Sequence, residues 1–118
     1  MSEAARLIGI VGPCSAGKSV LARALRARGY RVKEIRQEHW HVPDMWQRLT
    51  NPDVLIYVDV SPEVGIAREG LTEVPSWWAE ERDFRLAHAR QHCDLYIDTS
   101  TLTPAEVIAQ AMTFLAAS

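Results

Sequence analysis

The sequence has few cysteines, no long apolar run and no excess of positive charge. Its two cysteines, Cys14 and Cys93, show no spacing typical of a metal site, so we expect reduced thiols in a cytoplasmic protein. A helix that spans a bilayer needs roughly 20 apolar residues, and no run approaches that length. Residues 1–6 also lack the basic-then-apolar order of a signal peptide. The net charge of −2 provides no global field that would gather nucleic acid or anionic membrane, so neither is an expected partner.

The 118 residues are 47% hydrophobic and 24% charged, which is typical of a single globular domain over 1–118. Apolar runs rich in β-branched residues predict strands at 6–11, 30–36, 54–60 and 95–98. Helical spacing predicts helices at 18–28, 44–49, 62–69, 77–92 and from 104 onward, with an irregular segment at 71–76. Strands that alternate with helices indicate an α/β fold, with three α/β/α layers around a small, mainly parallel sheet of about four strands.

Three helix ends carry recognisable signals. Ser61 before Pro62 predicts an N-cap followed by proline at the first helical position. Thr103 with Glu106 predicts a capping box at the start of the last helix. Gly29 is placed to end the first helix.

One segment carries most of the chemical information: Gly12-Pro13-Cys14-Ser15-Ala16-Gly17-Lys18-Ser19 fits G-x-x-x-x-G-K-[ST] at every fixed position. Glycines let successive backbone N–H groups converge on phosphate oxygens, and the following helix adds its positive end. Lys18 is placed to reach the β- and γ-phosphates, and the Ser19 hydroxyl to bind Mg²⁺. The motif therefore predicts binding of ATP or GTP with Mg²⁺; the alternative is a glycine-rich turn with an incidental lysine. The residues expected to contact nucleotide are Gly12, Pro13, Cys14, Ser15, Ala16, Gly17, Lys18, Ser19 and Val20.

From this loop onward the chain resembles the small P-loop kinases, such as adenylate, cytidylate, shikimate and gluconate kinases. The resemblance is carried by 12–19, by 54–63 followed by Arg68, and by 93–100 with 102–107. It implies a P-loop NTPase fold and transfer of phosphate from ATP to a small-molecule acceptor. Two departures stand out: many of these kinases have glycine where this chain has Ser15, and one strand–helix unit is missing between residues 30 and 51. In the family that region holds acceptor-binding helices and an acid near Mg²⁺, so this chain has no room for a nucleotide-sized acceptor.

Acids at strand ends are the candidates for the metal and the proton transfer. Asp59 follows a run of apolar strand residues, as a Walker B aspartate does, and is a candidate to hold Mg²⁺ through water; the alternative is a turn or cap residue. Asp98 has the same form, but the resemblance places it in the last strand, far from the metal. Glu38 is a candidate to orient Mg²⁺ or to accept the acceptor's proton, alone or with His39; the alternative is an exposed charged loop. If the missing strand is lost, Glu38 becomes a better candidate than Asp59.

Three arginines lie where the resemblance places the lid of these kinases: Arg68, Arg82 and Arg85. A lid arginine stabilises charge on the transferring phosphoryl group and excludes water. The alternative is pairing on a helix surface, such as Glu81 with Arg85 at i,i+4. We favour surface pairing for Arg82 and Arg85 and leave both interpretations open for Arg68.

Aromatic and histidine residues are concentrated near the predicted open edge of the site: Trp40, Trp46, Trp77, Trp78, His39, His41, His88 and His92. The tryptophans could stack on a base or an acceptor ring, but a role in the core or in a dimer contact is favoured. The histidines have no carboxylate or cysteine at ligand spacing, so no structural metal is expected. Alkylation of Cys14 is expected to block nucleotide binding.

The leading functional hypothesis is an ATP-dependent phosphotransferase in which Lys18, Ser19 and Mg²⁺ hold the triphosphate, Arg68 closes over it, and Glu38 serves the acceptor. The short acceptor region motivates a second, a nucleotide-binding regulatory module or degenerate kinase with little or no transfer activity. A plain NTPase that drives motion or assembly is a third. A homodimer is one alternative for the assembly, since a small sheet leaves edges and apolar helix faces to cover.

Overall fold

The computed structural model describes residues 6–73 and 76–117. The strands in this part of the chain are β1 (Leu7–Val11), β2 (Arg31–Glu34), β3 (Val54–Asp59) and β4 (Leu95–Asp98). Its α-helices are α1 (Lys18–Ala27), α2 (Met45–Leu49), α3 (Pro62–Arg68), α4 (Ser76–His92) and α5 (Pro104–Ala117), with a 3₁₀ helix at Gln37–His39. The N-terminal prediction for residues 1–5 and the irregular segment at 74 and 75 fall outside the described residues. None of the described helices has the length and apolar character needed to cross a bilayer.

The four strands form one all-parallel sheet in the order β2-β1-β3-β4, which confirms the prediction of a small parallel sheet. In the register, Ile10 of β1 lies opposite Glu34 on one side and Ile56 on the other. The chain leaves β1 toward β2 and later returns to the opposite side of β1 as β3. Ligands of parallel sheets bind where neighbouring connections diverge in this way, at the carboxyl ends of the strands.

Side chains from the two faces of the sheet enter two separate cores. Alternate residues of β1 and β3, such as Ile10 and Ile56, pack with Leu21 of α1 and Ala111 of α5. The other face, which includes Val11, packs with residues of α2 and α4. Helices thus cover both faces, an arrangement compatible with three α/β/α layers.

The predicted helix signals are confirmed. Ser61 Oγ accepts a hydrogen bond from the Val64 backbone N–H at 3.2 Å, and Pro62 is the first residue of α3. Thr103 and Glu106 form a reciprocal capping box, with N···O distances of 2.8 and 3.2 Å.

The predicted strand at 30–36 is shorter than expected and ends at Glu34. The 3₁₀ helix after it exists because Gln37 is buried and its side-chain amide is fully engaged. That amide donates to the carbonyls of Val42 and Arg85 at 2.9 and 3.1 Å and accepts from the Trp46 N–H at 2.9 Å. These bonds hold the segment beneath α4, since an unpaired buried amide would be costly. The next two residues, Glu38 and His39, are thereby directed toward the loop after β1.

Candidate functional site

The loop between β1 and α1 depends on backbone conformations that favour glycine. Gly12 has φ 153° and Gly17 has φ 97°, and Ser15 also lies in the left-handed region at φ 69°. A Cβ atom on Gly12 would stand 1.9 Å from the Val58 carbonyl oxygen, so only glycine fits there. A Cβ on Gly17 would meet nothing within 4 Å, which leaves the backbone open to a ligand. Glycine is therefore favoured at the two positions for different reasons. Gly12 is packed too closely for a Cβ atom, whereas Gly17 has open space around it and is favoured by its positive φ.

Lys18 folds back over this loop. Its Nζ donates to the carbonyl oxygens of Gly12 and Pro13 at 2.7 and 3.1 Å and forms an ion pair with Glu38 Oε2 at 2.6 Å. The side chains of Lys18 and Glu38 are only 11% and 8% exposed. Glu38 is therefore no exposed loop residue, and the structure brings it together with the lysine of the motif.

Ser19 contacts an acid that the sequence interpretation missed. Its Oγ donates to Glu34 Oε1 at 2.7 Å, and Glu34 also lies 3.8 Å from Arg26 of α1. The predicted strand continued to residue 36 and placed Glu34 in its interior, without a functional role. A signal was available: Glu34 lies two residues after Val32, which packs in the core beneath α1, so strand alternation directs both toward that helix.

Three potential metal ligands converge beside the loop. Cys14 Sγ lies 3.8 Å from Glu38 Oε2 and 3.8 Å from His39 Nε2, and those two atoms are 3.8 Å apart. Burial raises the pKa of the Cys14 thiol, and the negative charge of Glu38 raises it further. Sequence spacing could not show this group, because the 3₁₀ helix brings residues 38 and 39 to a cysteine far away in the chain.

Asp59, the predicted Walker B acid, is engaged elsewhere. Its carboxylate accepts hydrogen bonds from the Tyr96 hydroxyl at 2.5 Å and the Val60 N–H at 2.8 Å, and Arg82 Nη2 lies 3.4 Å away. Asp98 is a turn residue that accepts from the Ser100 N–H at 2.9 Å; its hydrogen bonds to Ser100 lower the pKa of the carboxyl. The acids with described contacts to the motif side chains are therefore Glu34 and Glu38.

Arg68 joins the loop to the segment after β4. Its guanidinium donates to the Ser15 carbonyl at 2.8 Å and to the Thr99 carbonyl at 2.7 Å, with a third bond to Thr99 Oγ1 at 3.2 Å. Thr99 Oγ1 in turn donates to the Ala16 carbonyl at 2.9 Å. These bonds fix the relative positions of the loop and the last strand, at the wall of a neighbouring cavity that Arg68 lines.

The two arginines of α4 differ from each other. Surface pairing is confirmed for Arg85, whose Nη2 lies 3.4 Å from Glu81, although Nη1 also donates to the Glu38 carbonyl at 3.2 Å. For Arg82 that interpretation is wrong. Its side chain is 9% exposed, donates to the Val60 carbonyl at 2.6 Å, and lies 5.5 Å from the centre of the Trp78 ring.

The tryptophans have separate roles. Trp46 is buried in the core, and its Nε1 donates to His88 Nδ1 at 3.0 Å, which confirms the favoured core role for this residue. Trp78 lines a cavity beside the loop, whereas Trp77 is 63% exposed. The His88 ring stacks on His92 with centroids 4.2 Å apart.

Two cavities lie on either side of the loop. The first, about 270 Å³, lies against α5 and is lined mostly by apolar residues. They include Ala16, Val20, Leu21, Leu102, Val107 and Ile108. The second, about 110 Å³, lies against α4 and is lined mostly by polar and charged residues. They include Cys14, Glu38, His39, Glu81, Arg82 and Arg85. A shallower cleft between them contains Lys18 and Ser19.

Comparison with known proteins adds no family to this geometry. No protein-family model and no curated protein sequence matches the chain. Functional conclusions therefore depend on the loop, the two cavities and the residues that line them.

Proposed function

We propose that this chain has a P-loop NTPase fold and is an ATP-dependent phosphotransferase that acts on a compact small-molecule acceptor. The observation that carries the proposal is the loop after β1, where Lys18 lies over the carbonyls of Gly12 and Pro13 and an ion pair joins it to Glu38. The loop lies at the carboxyl end of a parallel strand, where such sheets bind ligands. Either ATP or GTP is compatible with these features.

The phosphate-binding groups are the loop backbone and Lys18. Gly17, the N-cap of α1, makes no side-chain cap hydrogen bond, so the first N–H groups of the helix have no side-chain acceptor there. Such N–H groups, together with the helix dipole, bind phosphate oxygens. In this structure the Lys18 ammonium pairs with the Glu38 carboxylate. When the triphosphate binds, its phosphate oxygens replace Glu38 as the anionic partner of Lys18.

The residues beside Ser19 fit Mg²⁺. A hydroxyl and a carboxylate, Ser19 Oγ and Glu34 Oε1, lie 2.7 Å apart at the edge of the phosphate cleft, and Mg²⁺ prefers such oxygen ligands. When bound, Mg²⁺ neutralises charge on the β- and γ-phosphate oxygens. Asp59 was the sequence-based candidate for the acidic role; because Tyr96 and Arg82 engage it, we assign that role to Glu34.

The two cavities are suited to the two reactants, the nucleotide and the acceptor. The apolar cavity against α5 offers Val107 and Ile108 to the face of a nucleoside base, and Arg68 borders it. The smaller cavity against α4 suits a compact acceptor, and its wall offers charged groups of both signs, Arg82 and Arg85 beside Glu38 and Glu81.

Glu38 is the proposed general base, because it borders both the phosphate cleft and the acceptor cavity. Once Lys18 moves to the phosphates, the Glu38 carboxylate is free to accept the proton of an acceptor hydroxyl. The acceptor oxygen then forms a bond to the γ-phosphorus as the bond from that phosphorus to the β,γ-bridging oxygen breaks. The products are a phosphorylated acceptor and a nucleoside diphosphate.

Calorimetric titration with ATP and with GTP, each with and without Mg²⁺, tests the phosphate site. The test variant is Lys18→Met, and the control is Lys33→Met, since Lys33 is the other lysine of the chain and is exposed on β2. We expect Mg²⁺-dependent binding that is lost in Lys18→Met and kept in Lys33→Met. Equal binding by both variants, or none by the native chain, would contradict the proposal.

A second candidate is the regulatory module without transfer activity. It is favoured by the pairing of both motif side chains with acids of the chain itself: Lys18 with Glu38 and Ser19 with Glu34. In this closed arrangement the Lys18 ammonium and the Ser19 hydroxyl both have acidic partners within the chain and need no substrate to supply them. The module predicts stabilisation by Mg²⁺-ATP without phosphorylation of any acceptor; turnover that is lost in Lys18→Met would exclude it.

A further inference from the structure

The loop carries a second constellation that the phosphotransferase proposal does not fully use. Cys14 Sγ, Glu38 Oε2 and His39 Nε2 form a triangle with all three sides 3.8 Å long. Thiolate, carboxylate and imidazole are the three side-chain ligands of Zn²⁺ in proteins. Mg²⁺ prefers oxygen ligands alone, so this donor set selects a softer cation than Ser19 and Glu34 do.

The triangle is close to the size that a tetrahedral zinc ion requires. Bonds of about 2.3 Å to sulfur and about 2.0–2.2 Å to nitrogen and oxygen place tetrahedral ligands about 3.3–3.6 Å apart. The observed separations of 3.8 Å exceed this by a few tenths of an ångström. A shift of a few tenths of an ångström in the side-chain atoms closes that gap.

An independent observation at the same place also points to a ligand. Among the described residues, Glu38 Oε1 is a buried oxygen without a hydrogen-bond partner, on a side chain only 8% exposed. A buried carboxylate oxygen without a partner is costly unless a cation or donor reaches it. The His39 side chain is 50% exposed, which leaves a path for an ion from solvent.

We propose that Zn²⁺ binds to Cys14 Sγ, His39 Nε2 and the Glu38 carboxylate, whose Oε2 faces the other two donors and whose Oε1 has no other partner, with a further position open to water or to a ligand in the adjoining cavity. Three protein ligands with one open position is the pattern of reactive rather than purely structural zinc sites. On binding, the Cys14 thiol gives its proton to solvent and bonds to the metal as thiolate. The site consists of these three residues and requires no nucleotide.

The proposal predicts that Lys18 competes with zinc. Its ammonium lies 2.6 Å from Glu38 Oε2, the oxygen that faces the other two donors, so lysine and Zn²⁺ compete for the same carboxylate. Removal of the lysine charge therefore strengthens zinc binding, although it destroys the phosphate site. A further effect rests on the proposed function: bound zinc occupies Glu38, the base, and slows phosphoryl transfer.

The test titrates Zn²⁺ into the reduced, tag-free chain without nucleotide, in competition with a chromogenic chelator. Co²⁺ serves as a spectroscopic probe, because a cobalt–thiolate bond gives a charge-transfer band in the near ultraviolet. We expect one ion per chain and a roughly tenfold or greater loss of affinity in Cys14→Ser and in His39→Gln. The matched controls are Cys93→Ser and His41→Gln, which change the same residue types outside the triangle. They should bind as the native chain does.

Lys18→Met should bind Zn²⁺ several-fold more tightly than the native chain. Circular dichroism establishes whether each variant folds. If Cys14→Ser does not fold, the variant His39→Gln still tests the site, because the His39 side chain is half exposed. Equal zinc affinity in Cys14→Ser, His39→Gln and the controls would overturn the proposal, as would the absence of stoichiometric binding or weaker binding by Lys18→Met. A failure of ATP binding leaves these readouts unchanged, so the two proposals fail separately.

Discussion

The two sides of the loop at 12–19 differ in almost every property that selects a ligand. Toward α5 the loop borders a cavity of about 270 Å³ whose walls are mostly apolar. Toward α4 it borders a cavity of about 110 Å³ with Glu38, His39, Arg82 and Arg85 in its wall. The helices explain the contrast: α5 presents aliphatic side chains such as Val107, whereas α4 is rich in charged residues.

This difference shows how one short loop can divide two kinds of recognition. An apolar cavity gains free energy by removing a neutral, flat group from water. A charged cavity recognises groups that can pair with its ions, and it penalises ligands that leave those ions unpaired. In the proposed function the base of a nucleoside triphosphate occupies the first cavity and its phosphates the cleft, and the compact acceptor or the proposed metal occupies the second.

The largest effect is expected from a substitution in the loop itself. Gly12→Ala places a Cβ 1.9 Å from the Val58 carbonyl, a backbone atom that has little freedom to move. Overpacking and strained φ together should cost about 3–5 kcal/mol of the free energy of unfolding and should disturb both cavities. Urea denaturation measures the loss. Gly17→Ala is the control, with a positive φ but open space, and should cost only about 1 kcal/mol. Equal costs would show that the close approach to Val58 does not decide the conformation of the loop.

The charged side is the next target. Arg82→Met removes a buried guanidinium and leaves the Val60 carbonyl and the Asp59 carboxylate without it. We expect a loss of about 2–4 kcal/mol in the free energy of unfolding, because a buried polar group that loses its partner is costly. The exposed Arg90, also on α4, provides the control: Arg90→Met should change stability by less than about 0.5 kcal/mol. Similar losses in both variants would mean that Arg82 contributes only its charge.

The sequence predicted the features that depend on neighbouring residues. The loop motif, the cap at Ser61 and the capping box at Thr103 and Glu106 are local, and strand–helix alternation suffices for a parallel sheet. Partners far apart in the chain were harder to predict. Strand alternation with Val32 directs Glu34 toward α1, but nothing local names Ser19 as its partner, and nothing local shows that Arg82 of α4 reaches the Val60 carbonyl.

The convergence of Cys14 with Glu38 and His39 has the same physical origin. A 3₁₀ helix directs residues 38 and 39 toward the loop, and that helix exists because the buried Gln37 amide binds residues from α2 and α4. A glutamine in a charged stretch gives no sign of burial, since glutamine is usually exposed. The site on the α4 side therefore depends on tertiary contacts, whereas the loop at 12–19 is visible as a sequence motif.

A change on the apolar side tests whether that cavity binds the base. Ile108→Gln replaces an aliphatic wall residue by a neutral polar one and should weaken ATP binding roughly tenfold, through lost apolar contact of about 1.4 kcal/mol. Binding of inorganic triphosphate should not change, because it has no base. Ile108→Met keeps the apolar character and should retain ATP affinity. Equal weakening of ATP and triphosphate would place the base elsewhere.

The smallest effect concerns the start of α5, beside the apolar cavity. Hydrogen bonds from the Thr103 N–H and hydroxyl lower the pKa of the Glu106 carboxyl in the folded chain. A lowered pKa stabilises the fold above the carboxyl's unfolded pKa, and this contribution is lost as the pH falls through the folded pKa. The native chain should therefore be slightly more stable than Glu106→Gln at pH 7, and the difference should vanish in acid. Urea midpoints measured from pH 7 down to a pH below the folded pKa of Glu106 give this difference in stability. Glu80→Gln on α4 is the charge-matched control. A difference independent of pH, or the same trend in the control, would show that the cap's charge contributes nothing specific to the apolar side.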